Sequence, residues 1–451
     1  MNRSKPFFAT IALAIALASS GVAVAQDVRI ITFEDAVRIA LDRNLALRQA
    51  RNSAALDEVA VDEARRQFLP DLRLNTSGAQ NYGRNFIESE GRIIDTSTRS
   101  FNIGLSSSVV LFDGFGNVAS LREARLSEQA SEQDLQRAQE TVVFTVASQF
   151  LTLIQRQEQL RVQRENLAAE VALEEQIRTY VDAGARTIAD LYQQQANVAA
   201  ARLALVEAER AVELAKVDLM QTLHLEPTGT YEFSAPESDT DPAAAESLAL
   251  PELLERAFAQ RADLNAGQAR VEAAEQSIRV ARSNRWPTVS LNTGYSSAYT
   301  SASDFSFSEQ LDQRRGGAIS LGVSIPLYDR GSVSAAIRRA EIQADNARLA
   351  LEGLQQEVAL QVRRVYLDFR AAQEQLRAAE ARLQAAELAL QASQERYAAG
   401  ASTLVELTQS RAAHVQAASA LVSARYNLLF QRTLVDYYVG DLDPARITNG
   451  S

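Results

Sequence analysis

The 451-residue chain contains no cysteine. That excludes disulfide frameworks, thiolate zinc sites, iron–sulfur clusters and cysteine nucleophiles together. Only two histidines occur, His224 and His414, each alone in a helical context. They read as structural or surface residues, and their number argues against a histidine-built metal centre. Aromatics are sparse, at 6%, which suits a chain with little compact core to fill. The net charge of −11 argues against nucleic acid as a partner, because a phosphate binder needs a basic surface. Beyond the first residues, no segment has the eighteen or so continuous apolar residues of a membrane helix. A chain of this kind enters a membrane only as a β-barrel. No G-x-x-x-x-G-K-[ST], G-x-G-x-x-G or H-E-x-x-H pattern is present. The many carboxylates lie on exposed helix faces near arginines and read as solvated surface charge. No acid/base pair stands out, so neither an enzyme nor a cofactor is expected.

Proline is scarce in an informative way. The chain has nine, and residues 71–226 and 327–443 have none. Both stretches are rich in Ala, Leu, Gln, Glu and Arg, the composition of very long helices. At its start the chain resembles a signal peptide. Arg3 and Lys5 precede the apolar run Phe7–Leu17, and Ala23-Val24-Ala25 forms a small-x-small cleavage site before Gln26. Export is therefore expected, and no cysteine follows the run to carry a lipid anchor.

The two halves are copies. Ala40, Leu47, Ala64 and Pro70 recur in the same order and spacing as Ala257, Leu264, Ala281 and Pro287. Phe112-Asp113 recurs as Tyr328-Asp329, and Gly184, Thr187, Asp190 and Leu191 recur as Gly400, Thr403, Glu406 and Leu407. Each half reads helix, strand, loop, strand, long helix, turn, helix. Four of the nine prolines fall in Pro227–Pro251, which reads as a linker between the copies. Asn117–Tyr180 and Ser332–Ala398 lack strong breakers, and each would be close to 100 Å long as a helix. No compact domain needs such a helix, so a coiled coil is expected. Val362, Phe369, Leu376, Leu383, Leu390 and Tyr397 form one heptad seam position, and Val365, Ala372, Ala379 and Ala386 the other. That stripe is core. Gly184 and Gly400 stand where each long helix turns back.

Four short segments alternate with period two. Leu72, Leu74, Thr76 and Tyr82 lie on one face, and so do Phe101, Ile103, Leu105, Val109 and Leu111. In the second copy these are matched by Val289, Leu291, Thr293, Tyr295 and Tyr299, then by Ile319, Leu321, Val323, Ile325 and Leu327. The opposite faces carry Ser, Asn and Gly. This is a strand pattern with one apolar face, of about the length of a tilted membrane-crossing strand beside a watery lumen. The segments Gly83–Thr98 and Ser301–Arg315 read as long polar loops. A soluble sheet with one wet face has the same pattern. However, four strands are too few to form a core beside such helices, and closing a barrel from them requires several chains.

At this point the residues match a family. Both copies carry the opening helix (Ala40–Leu47, Ala257–Leu264) and the helix-to-strand step at Pro70 and Pro287. Both carry strand-to-helix turns, Leu111-Phe112-Asp113-Gly114 and Leu327-Tyr328-Asp329-Arg330-Gly331. The tips follow, Tyr180-Val181-Asp182-Ala183-Gly184 and Tyr397-Ala398-Ala399-Gly400. In this order, twice over, they resemble the TolC-like outer-membrane channels, the exit ducts of efflux pumps and type I secretion systems. The resemblance covers Thr32 to about Gly440. It implies a mainly α fold with membrane β: three chains of four strands closing a twelve-stranded barrel in the outer membrane, continued by a long periplasmic coiled-coil α-barrel. The expected parts are a signal peptide at 1–25, a first repeat at 26–226 with strands near 71–82 and 100–112, and a linker at 227–250. A second repeat at 251–440 has strands near 288–300 and 317–328, and a tail occupies 441–451.

The resemblance also implies partners: a homotrimer, outer-membrane lipid, a periplasmic adaptor and an inner-membrane transporter of RND, ABC or MFS type. It makes Gly184, Thr187, Asp190, Leu191, Gly400, Thr403, Glu406 and Leu407 candidates for adaptor docking, although the same motif also caps and turns a hairpin. Asp190 and Tyr397 match the family's periplasmic latch. The family's latch arginine falls on Ser402, and Arg186 in the first repeat is the candidate substitute. The family's ring of acids falls on Glu406 and Gln409, so Glu406 completes the gate candidates. The competing reading is a periplasmic coiled-coil adaptor or structural protein, a class that lacks two copies of paired alternating strands.

Overall fold

The computed structural model describes residues 29–87, 91–234 and 249–442. The signal-peptide segment, the middle of the linker and nearly all of the tail lie outside these residues. The order is β1 (Arg29–Ile31), α1 (Phe33–Arg43), α2 (Leu45–Arg66), β2 (Arg73–Ile87), β3 (Arg92–Phe112), α3 (Gly116–Asp182), α4 (Ile188–Thr222) and β4 (Tyr231–Phe233). The second copy follows: α5 (Leu250–Gln260), α6 (Ala262–Ser283), β5 (Thr288–Thr300), α7 (Phe307–Gln313), β6 (Gly316–Ser324), α8 (Ser332–Ala398) and α9 (Leu404–Val439).

The long helices α3 and α8 each have 67 residues, about 100 Å at 1.5 Å per residue. Gly353 lies within α8 without interrupting it. Each long helix pairs with the helix that follows, and α9 also packs on α3, so the lower half is ordered α4, α3, α9, α8. The predicted seam is buried where α8 meets α9 and the short helices: Val362, Val365, Phe369 and Ala372 are at most 4% exposed.

Each opening helix is split in two. Asn44 ends α1 and starts α2 with φ −61° and ψ 125°, and its side chain accepts a hydrogen bond from the Leu47 backbone NH at 3.1 Å. Arg261 repeats that geometry between α5 and α6, with φ −63° and ψ 121°. The periodicity continues across both breaks, so they are not visible as pattern. Both breaks lie beside paired cores. In the first copy α1, α2, α3 and α4 bury Val37, Leu47, Val143, Phe150, Leu153 and Leu219. In the second, α5, α8 and α9 bury Leu253, Val358, Val362, Phe369 and Val435. The linker is not wholly irregular. Its β4 pairs in parallel with β1, Ile31 opposite Phe233, and both are buried in the first core. Three-residue strands carry no periodic signal.

The last turn of α9 is held from both copies. Arg137 of α3 donates to the Tyr437 carbonyl at 3.0 Å and its guanidinium lies 4.0 Å from that ring's centroid. Arg261 donates to the Tyr438 carbonyl at 3.3 Å. Terminal helix carbonyls lack intrahelical partners, and these arginines supply them.

The strands form one antiparallel sheet in the order β2-β3-β5-β6. Leu74, Leu105, Tyr295 and Gly317 align across it, as do Val109, Leu291 and Leu321. The other face carries the row Asn75, Gly104, Ser296 and Gly316, with side-chain hydrogen bonds such as Asn75 to Ser106 (3.0 Å) and Ser108 to Asn292 (2.9 Å). A Cβ on Gly104 would lie 2.9 Å from that of Ser296, so the polar rows pack closely.

Three sequence expectations are corrected here. The expected loop Gly83–Thr98 is largely ladder, paired from Tyr82 with Ser97 to Ile87 with Arg92. Strand pairing satisfies backbone groups without an alternating apolar face, so the polar run concealed it. The expected loop Ser301–Arg315 contains α7, capped by a Ser306–Glu309 box. The last strand ends at Ser324 rather than near 328, because Pro326 has no NH to donate to a ladder.

Candidate functional site at the two helical tips

The two hairpin tips are built alike. Gly184 and Gly400 both have φ +72°, a left-handed conformation that glycine adopts without strain. Nothing lies within 4 Å of where their Cβ would sit, so backbone angle rather than space calls for glycine. Ala185 NH bonds to Tyr180 O at 2.8 Å and Gly184 NH to Val181 O at 2.9 Å. Ala401 NH to Arg396 O and Gly400 NH to Tyr397 O repeat the pattern at 2.8 and 3.1 Å. Both are Schellman closures. The return helices start on Thr187 and Thr403. Thr187 Oγ1 accepts from Asp190 NH at 3.3 Å, and the Asp190 carboxylate accepts from Thr187 NH at 3.4 Å. Thr403 accepts from Glu406 NH at 3.3 Å.

Leu173, Ile177, Leu191, Tyr397, Leu404 and Leu407 form a small core between the tips. Leu191 and Leu407 therefore face inward, at 8% and 2% exposure. Gly184, Thr187, Gly400 and Thr403 are at the surface, together with Ile188, Tyr192 and Val405. The sequence reading passed over those last three because it followed matched positions only.

Arg186 and Tyr397 meet across the two tips. Arg186 Nη2 donates to the Tyr397 carbonyl at 3.0 Å, and its guanidinium lies 4.3 Å from the ring centroid. Burial pushes the Tyr397 phenol above its ordinary value, with Arg186 pulling it back and Asp190 adding to the rise. Asp190 is thus near enough to act on Tyr397 through its charge, yet within one chain its carboxylate is hydrogen-bonded to Thr187. The Tyr397 and Ser402 hydroxyls are buried with no hydrogen-bond partner among the described residues. Glu406 is drawn to Arg396, 3.5 Å away, a neighbour the motif comparison did not pick out. Gln409 is exposed. No group of acidic or histidine side chains among the described residues is arranged to hold a metal ion.

An open sheet with an apolar face, doubled hairpins about 100 Å long and glycine-turned tips form one architecture. The family described as outer membrane efflux protein matches the chain twice, over residues 36–223 and 253–438. The chain belongs to that family. The chain is 24% identical over 350 residues to the outer membrane efflux protein BepC of Brucella suis, covering 76% of this chain and 70% of BepC. It is 24% identical over 426 residues to the outer membrane protein TolC of Salmonella enteritidis, covering 91% and 82%. Among solved structures, VceC of Vibrio cholerae superposes with a TM-score of 0.76 at 19% identity, covering 90% of this chain and 96% of that one. The MtrE outer membrane channel of Neisseria gonorrhoeae gives 0.73 at 19% identity, covering 93% and 91%. This family member is an outer-membrane exit duct, and the two family matches fall on the two copies read from the sequence.

Proposed function

We propose that the chain works as a homotrimer whose three sheets close a twelve-stranded barrel in outer-membrane lipid. Their helices continue it as a periplasmic tube. The observation that carries this reading is the sheet: its edge strands β2 and β6 have no outer partner among the described residues, and its apolar face is bare. Leu74, Tyr82, Ile319, Leu321 and Val323 are each between 58% and 81% exposed. Unpaired edges and bare apolar faces are both costly in water, and closure in lipid removes both. The duct is passive and serves a tripartite efflux pump or a type I secretion system. A periplasmic adaptor docks on the exposed tip residues around Thr187 and Thr403, and an inner-membrane transporter of RND, ABC or MFS type supplies energy. Arg186 stacked on Tyr397 closes the periplasmic end. Asp190 contributes by holding the turn that presents Arg186, and Glu406 contributes charge at the same level. The chain does no chemistry of its own.

Membrane fractionation tests the reading. Recovery in the outer membrane, with detergent extraction as a trimer that dissociates in SDS on heating, supports the duct. A soluble periplasmic monomer sinks it and favours the adaptor class.

A further inference from the structure

Above the tips lies a second charged contact between the hairpins. Glu170 on α3, Gln194 on α4 and Arg411 on α9 are buried polar residues, at 7%, 0% and 8% exposure. Glu170 is thirteen residues before Ala183, roughly 20 Å up the helix. Gln194 Nε2 donates to Glu170 Oε2 at 2.5 Å and to the Glu170 carbonyl at 2.9 Å. Arg411 Nη1 donates to the Ala169 carbonyl at 2.8 Å and lies 3.6 Å from Glu170 Oε1. Asn197 in turn donates to Gln194 Oε1 at 3.1 Å. The amide of α4 thus fixes the carboxylate on α3, and the guanidinium reaches it from the other hairpin.

This arrangement has a direction. The Gln194–Glu170 bonds join α4 to α3 within one hairpin and persist if the hairpins part. Arg411 is the only member of the triad on the second hairpin. Moving it away breaks the Arg411 bond to the Ala169 carbonyl and parts the guanidinium from the Glu170 carboxylate. Pairing the same groups while the hairpins touch satisfies both. The contact therefore favours the joined state beyond what packing of the seam supplies. It differs in kind from Arg186 on Tyr397, which is a ring stack and a carbonyl bond at the rim.

We infer that Glu170, Gln194 and Arg411 form an interior latch that holds the α8–α9 hairpin on the α3–α4 hairpin, and that full opening of the duct requires its release. The inference rests on the duct reading proposed above.

The test is single-channel recording of the detergent-purified, full-length trimer in planar bilayers, comparing wild type with Arg411→Gln and Glu170→Gln. The thermal midpoint of each trimer is measured alongside. The latch predicts closed dwell times at least tenfold shorter in both variants, a difference of about 1.4 kcal/mol. Glu170→Gln retains an amide for Gln194, so it carries the test if Arg411→Gln does not assemble. Closed dwell times that stay at the wild-type value overturn the latch, including where the thermal midpoint falls, since that is a packing role alone. A wild-type protein that forms no channel at all overturns the duct reading and the latch with it. Wild-type channels insensitive to both substitutions overturn only the latch.

Discussion

At the residue scale the rim contact separates Tyr397's ring from its hydroxyl. The ring is buried and carries Arg186 on its face, whereas the hydroxyl is buried and unpaired among the described residues. Removing an unpaired buried hydroxyl is near neutral or slightly favourable, and removing a buried ring is expensive. Tyr397→Phe should therefore leave trimer stability within about 0.5 kcal/mol of wild type. Tyr397→Ala should lower it by about 3 kcal/mol or more, read as the midpoint of thermal unfolding. Arg186→Ala should shorten closed times without that loss, because the tip core of Leu173, Ile177, Leu191 and Leu407 remains. The sequence placed both partners at the tips through repeated glycines. It did not supply their contact, because Arg186 and Tyr397 belong to different hairpins and no local spacing links them. For the same reason Glu170, Gln194 and Arg411 were passed over: each looks like an ordinary polar residue on its own helix.

At the element scale the arginine-held end of α9 gathers Arg137, Glu140, Arg261 and Asp263 in ion pairs. Burial raises the Glu140 carboxyl above its ordinary value, against the hydrogen bond and charge of Arg137. Burial likewise raises Asp436. At Asp263 burial also acts upward, but the Arg261 hydrogen bond and charge outweigh it and the net shift is downward. A carboxyl raised on folding holds its proton more tightly in the native state. Its stabilising effect is complete below the ordinary carboxylate value and is lost as pH rises through the raised value. Acidification from neutral pH towards the ordinary carboxylate range should therefore raise the melting temperature through Glu140 and Asp436, while Asp263 weakens only in acid below that range. Glu140→Gln should flatten that gain, as a pH series of melting curves would show.

The short helix α7 gives a second check at this scale. Gln310, 1% exposed, accepts from Thr300 NH at 2.9 Å and donates to the carbonyls of Thr300 and Phe305 at 3.0 and 2.7 Å. Gln310→Leu leaves those backbone groups unpaired, at about 1–3 kcal/mol. The segment 301–315 should then become sensitive to protease added to intact cells, with the sheet unaffected. Elements of this size were the least legible from sequence. The 67-residue helices announced themselves through proline-free composition, whereas α7, β1 and β4 are short and held by tertiary contacts. The β2–β3 extension escaped notice because backbone pairing needs no side-chain period.

At the scale of the whole molecule, duplication explains how much could be read in advance. Every motif occurs twice, so a weak signal in one copy is checked by the other. The sheet draws β2 and β3 from the first copy and β5 and β6 from the second, so neither copy makes the membrane portion alone. The apolar rows cross the copy boundary between β3 and β5, where Leu105 faces Tyr295, and the register shifts near the end of β3, between Val110 and Phe112. What could not be read is how the copies fasten together. Arg137 and Arg411 do this through carbonyls and carboxylates distant in sequence.

The equal length of α3 and α8 acts as a depth gauge. Both run 67 residues from a strand-to-helix turn to a glycine, so in the tube proposed above equal helices would bring the tips level, as a flat rim. One extra residue in α3 alone would lower its tip by about 1.5 Å and rotate everything below by about 100°. The rim would become ragged, and Ile177 would turn away from Tyr397. A matched insertion in α8 restores the level but not the facing of side chains. Whole heptads added to both hairpins restore both. The tube should therefore tolerate lengthening only in paired seven-residue steps, measurable as trimer yield and retained conductance, whereas one-sided insertions of any length should fail.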